Sequence, residues 1–229
     1  MTTQRRYADD RAYLVRRGLH LNYATLAYNA IEAIVSLIAG FVAGSVALVG
    51  FGFDSVIELT ASCAAQWRLR ADADVRRRER TEHRATRIVG WCFIALAVYI
   101  VYDSASSLYG RRIPDRSTAG IVILTLSTIV MPTLARAKRV LAAALSSTAL
   151  ASEASQTALC AYLSAIALGG IVCNSTLGWW WADPVAALAM VPIIAREGYT
   201  GVRALRRCDD CHTSADVAAV TIGGAHGKR

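Results

Sequence analysis

Apolar residues fall along this chain in long blocks, without the short periodic runs of a water-soluble domain, and short arginine-rich segments separate the blocks. Six blocks are long enough to cross a bilayer core as helices: roughly Leu19 to Ala43, Ser45 to Trp67, Ile88 to Tyr109, Thr118 to Ala135, Ala142 to Val172 and Trp179 to Ala195. The pattern predicts an all-α fold, a six-helix transmembrane bundle over 19–205. A basic segment over 1–18 precedes it, and a short Cys/His-containing tail over 206–229, expected to be disordered, follows. The fifth block is long and holds a polar turn, Ser146, Ser147 and Thr148, so it is expected to protrude or tilt. The connection around Gly40 to Ser45 is so short that the first two helices must form a hairpin, with Gly40 and Gly44 in the turn. Pro132 and Pro192 are placed near helix ends, and Trp179, Trp180 and Trp181 at a membrane interface.

Composition sharpens this picture. The chain is 55% hydrophobic with a net charge of +8, and in a soluble protein that charge would suggest nucleic acid. Here nearly all the basic residues lie between apolar blocks, where they abut a membrane surface and meet acidic lipid head groups, so no nucleic-acid partner is expected. With a cytoplasmic N-terminus, every Lys and Arg outside the spans falls on the inner side except Arg111, Arg112 and Arg116. That asymmetry predicts cytoplasmic N- and C-termini in a multi-pass protein of the cell (inner) membrane. The first residues are polar and basic and the apolar segment after them is too long for a signal peptide, so the first helix is expected to be retained. Four of the six cysteines, Cys63, Cys92, Cys160 and Cys173, lie inside apolar segments and read as small buried hydrophobes, not as a disulfide framework.

The informative residues are the charges inside the spans: Glu32, Asp54, Glu58, Asp103, Glu153 and Asp183, all acidic, with no Lys, Arg or interior His between the span ends to pair with them. An intramembrane carboxylate costs at least about 2.5 kcal/mol on insertion scales. These acids must therefore be protonated, hydrogen-bonded or matched by a bound cation. Asp103 and Asp183 lie nearer the outer face, where water is expected to solvate them. Asp54 and Glu58, at i and i+4, share one helix face about 6 Å apart along the axis. In the fifth span Glu153, Gln156, Thr157, Cys160 and Ser164 form one polar stripe, and Ala154, Ala158, Ala161 and Ala165 let a neighbouring helix come close. Two carboxylates from the second span and one from the fifth, with an amide, hydroxyl or thiol as fourth donor, can surround a small divalent ion. The donors do not choose among Zn2+, Mn2+ and softer ions. Because carboxylates bind metal when deprotonated, metal and protons compete there, which is the minimum chemistry of a proton-coupled antiporter.

The stretch GSVALVGFGFDSVIE, the acid within ALASEASQT and the sixth span beginning WWWADPVAAL together resemble the cation diffusion facilitator transporters, over about residues 19–205 and closest to their short six-helix relatives. The resemblance implies a homodimeric exporter, typically of Zn2+ and sometimes of Mn2+, Co2+ or Fe2+, driven by proton flow across the bilayer, with no enzymatic activity and no organic cofactor. By position, Asp54 and Glu58 match the second-span ligands. Glu153 stands where the family has His or Asp, and Thr157 where it usually has a second Asp, so the implied metal site is Asp54, Glu58, Glu153 and Thr157. Threonine is a poor ligand, which leaves Gln156, Cys160 or water as a further donor. Asp183 matches the sixth-span acid and takes a supporting role. The chain departs from longer relatives in lacking the cytoplasmic C-terminal domain, since the residues after Arg196 are too few and too polar to build a core. Cys208, Cys211 and His212 in the tail offer soft donors for cytoplasmic metal capture. The alternatives are a membrane thiol oxidoreductase using the C-x-x-C pair, and a non-transporting metal sensor or scaffold.

Overall fold

The computed structural model describes the backbone of residues 2–70, 75–145 and 148–223, and the side chains of residues 16–60, 62–63, 87–144, 150–151 and 153–203. Its elements are α1 (Thr2–Ala43), α2 (Val46–Arg70), α3 (Val75–Tyr109), α4 (Thr118–Leu145), α5 (Thr148–Leu177) and α6 (Ala182–Gly223), and among the described residues there is no strand. The all-α expectation holds. Among the described residues, five stretches are long and apolar enough to cross a membrane: Arg16–Ala43, Arg87–Tyr109, Thr118–Ala144, Glu153–Leu177 and Ala182–Arg203. The remaining helix, α2, packs against α1, α3, α5 and α6. It is the central element, and it carries the acid pair.

The bundle interior holds an apolar core crossed by buried polar residues, and much of its outside is apolar as well. On α1, Ile31, Ile34, Ile38, Phe41 and Val42 point outward, while Asn22, Thr25, Asn29, Glu32 and Ser36 are buried. The buried set recurs at alternating steps of three and four, which places it on one helical face. Apolar residues facing out and polar residues facing in suit a surrounding of acyl chains, where the bundle interior is the place for polar groups. Small residues bring the helices close. A Cβ on Gly90 of α3 would lie 2.9 Å from the Gly198 carbonyl oxygen of α6, and one on Gly198 would lie 2.9 Å from the Gly90 carbonyl oxygen. The α1–α2 hairpin turns at Gly44, whose φ of 64° needs no Cβ. Ser45 N–H donates back to the Gly40 carbonyl at 3.0 Å, ending α1 as a Schellman motif ends a helix.

Two boundaries differ from the sequence expectation. Residues 136–145, divided there between a connection and the start of the fifth span, are the last turns of α4. The run ARAKRVLAAAL contains no Gly or Pro and consists of strong helix formers apart from one Val, so nothing stops the helix at Ala135. Met131, Ala135, Lys138, Leu141 and Ala142 are all buried. Their spacing is that of one helix face, and Lys138 is carried inward by it. Pro132 and Pro192 lie inside α4 and α6, not near their ends. At the other end of the bundle Trp179 and Trp181 stack at 5.2 Å, both exposed, as an interfacial aromatic belt requires. The helix of α6 continues into the tail, but the side chains beyond Arg203, those of Cys208, Cys211 and His212 among them, lie outside the described residues.

Candidate functional site

The polar faces of α1, α2, α4 and α5 converge on Glu32. Its carboxylate is fully buried and accepts hydrogen bonds from Ser55 Oγ of α2 at 3.1 Å and from Ser127 Oγ of α4. The Cys160 thiol of α5 lies 3.7 Å away, and Tyr28 extends the network to Ser127 at 3.1 Å. A buried carboxylate with donors from three other helices has its desolvation cost answered from within the protein.

Asp54 and Glu58 are answered differently. Both are 6% exposed, and with Gln156 and Cys160 of α5 and Glu197 of α6 they line a small cavity of about 20 Å³, closed on its apolar side by Phe93, Leu163 and Ile193. That is room for one water-sized body. Glu58 lies beside Asn29, Thr157, Cys160 and the Lys138 ammonium. Asp54 has no hydrogen bond or ion pair with any described residue, and its charged neighbours, Glu58, Glu32 and Glu197, are all acidic.

The α5 stripe does not act as one unit. Gln156 and Cys160 face the cavity. Glu153 and Thr157 face α4, where Lys138, 1% exposed, sets its Nζ 3.6 Å from Glu153 Oε2 and donates to Thr157 Oγ1 at 3.3 Å. The Thr157 hydroxyl in turn donates to the Glu153 backbone carbonyl at 2.9 Å. The expectation that no interior cation meets these acids is therefore corrected. Lys138 is one, and it falls in a connection only if α4 stops at Ala135, ten residues before its end at Leu145. Its signal was present in the sequence, at the spacing of the apolar residues around it. Glu197, two residues beyond the expected end of the sixth span, escapes notice for the same reason. Among the described residues, no three of His, Cys, Asp and Glu gather closely enough to hold a metal ion.

Two acids toward the other end of the bundle serve the scaffold. Asp183, expected to be solvated by water, is fully buried at the start of α6. Its carboxylate accepts from Ser45 Oγ at 2.5 Å and from the backbone N–H of Val46 at 2.8 Å and of Ala47 at 3.5 Å. It thus caps α2, satisfying donors that the first turn leaves open and placing negative charge at the positive end of the helix that carries Asp54 and Glu58. Asp103 accepts from the Tyr99 hydroxyl at 3.3 Å and lies 4.0 Å from Arg112.

Against known families, residues 23–205 match the family model described as the cation efflux transmembrane domain. Among curated proteins none matches the chain.

Proposed function

Since the chain belongs to the cation efflux family, it is a multi-pass transmembrane cation transporter, and we propose that its cargo is a divalent transition-metal ion, Zn2+ foremost, expelled from the cytoplasm in exchange for protons. The observation that carries this reading is Asp54. An unpaired carboxylate so deeply buried is costly, and with Glu58 one turn away and acids as its charged neighbours, what it lacks is a positive charge. Carboxylate oxygens of Asp54 and Glu58, the Cys160 sulfur and the Gln156 amide oxygen line one cavity and are donors of the kind that Zn2+ accepts, so a small movement of α5 toward α2 would be needed to close them around the ion, and Mn2+, Co2+ or Fe2+ can use the same oxygens. The acids bind metal when deprotonated, so protons and cargo occupy the pair by turns, which couples their movements. Alternating access would come from rocking of helix groups about α2. The arginine distribution favours cytoplasmic termini in the inner membrane, and the family resemblance favours a homodimer. Zn2+ uptake into proteoliposomes under an imposed pH gradient tests the reading. Wild type should accumulate the ion against its gradient and Asp54→Ala should not, and equal flux from both would refute it.

A further inference from the structure

The turn of α5 from Glu153 to Cys160 carries four donors, and the fold divides them into two pairs that face different neighbours. Gln156 and Cys160 look into the cavity beside Asp54 and Glu58. Glu153 and Thr157 look at Lys138, which is buried, 3.6 Å from the carboxylate and 3.3 Å from the hydroxyl. The Thr157 hydroxyl gives its proton to the Glu153 carbonyl and one oxygen lone pair to Lys138, while its side chain also adjoins Glu58. Opposite charges buried together hold each other, because removing either strands the other out of water.

We infer that Lys138 is a resident countercharge that withdraws Glu153 from cargo binding and confines the transported divalent ion to the Asp54 end of the cavity. The inference rests on the reading of that cavity as the cation site. It follows from where the ammonium stands. A divalent ion approaching Glu153 meets a fixed positive charge at the oxygen it seeks, and the two cations repel. The same ammonium faces Glu58, whereas among the described residues no ion pair joins it to Asp54. The ion is therefore favoured on the side of Glu58 turned toward Asp54, Cys160 and Gln156. Lys138 also lowers the negative charge that the ion encounters, so it weakens binding while leaving the ligands in place. In a transporter, which must release what it binds, that is a determinant of affinity.

The test is Zn2+ affinity in lipid nanodiscs, read by competition with a chromogenic chelator, for wild type, Lys138→Met, the double variant Lys138→Met/Glu153→Gln, and Asp54→Ala. Lys138→Met is expected to bind Zn2+ tighter, by roughly 10-fold, the scale of changes beside a metal site. Structural damage would lower affinity, so the sign separates the two causes. The double variant removes both charges of the pair and keeps the net charge, so it should fold and bind Zn2+ within about threefold of wild type even where the single variant fails to fold. Loss of affinity in the double variant on the scale of Asp54→Ala would make Glu153 a ligand and overturn the inference, as would unchanged or weaker binding by folded Lys138→Met. Asp54→Ala separates the two levels of the argument. If it binds Zn2+ like wild type, the cavity itself is misassigned.

Discussion

Two halves of one polar interior solve the same problem in opposite ways. On the α1–α4 side every deep acid has its answer built in, Glu32 from the Ser55 and Ser127 hydroxyls and Glu153 from Lys138. On the α2–α6 side Asp54 has none among the described residues, and its nearest charges are further acids. Depth and residue type do not distinguish the two sets, since all of these carboxylates lie within the bundle. What distinguishes them is satisfaction. A carboxylate already hydrogen-bonded or ion-paired is part of the scaffold, whereas one left wanting a positive charge in a small cavity can exchange that charge with the two sides of a membrane.

The comparison breaks most visibly at Asp54. Asp54→Asn keeps the size of the side chain and removes its charge, so Zn2+ flux in proteoliposomes should fall by at least about 100-fold, while thermal stability in detergent should hold or rise because a buried charge is gone. The reverse profile is expected for Glu32→Ala. Losing the carboxylate that joins Ser55, Ser127 and Cys160, and leaving a cavity in its place, should cost roughly 2–4 kcal/mol in unfolding measurements, with Zn2+ affinity of the folded fraction changed much less than by Asp54→Asn. Asp183→Ala, which uncaps α2, should cost about 1–2 kcal/mol and show as faster hydrogen exchange at Val46 and Ala47. The smallest effect is expected at Glu197, at the edge of the cavity. Glu197→Gln should slow Zn2+ association a few-fold at low salt, with the difference shrinking as ionic strength rises.

Much of this fold is written in the apolar blocks. The helices that bury their polar residues and expose Ile, Val and Phe follow from block length and from the alternation of faces, and the α1–α2 hairpin follows from Gly44. Asp54 and Glu58 could be singled out because charges stand out against an apolar background. The partners of the other acids were harder to see. Lys138 lies among Arg136 and Arg139, both exposed, and a local cluster of three cations reads as a surface loop until the helix is known to continue through it. The buried row Asn22, Thr25, Asn29, Glu32 and Ser36 is spaced as one seam, but its members are small and mostly uncharged, so composition conceals it. The division of the α5 stripe between α4 and the cavity depends on which neighbour packs against which turn. That is a tertiary fact which no spacing within α5 encodes.

X-ray absorption at the zinc edge tests the central claim most directly. Zn2+ bound to the full chain should show a first shell of oxygen at about 2.0–2.2 Å with one sulfur near 2.3 Å. The sulfur should vanish in Cys160→Ser and the whole bound signal in Asp54→Asn. A sulfur-rich shell that survives Asp54→Asn and disappears when Cys208 and Cys211 are replaced by Ser would place the ion in the tail and contradict the account.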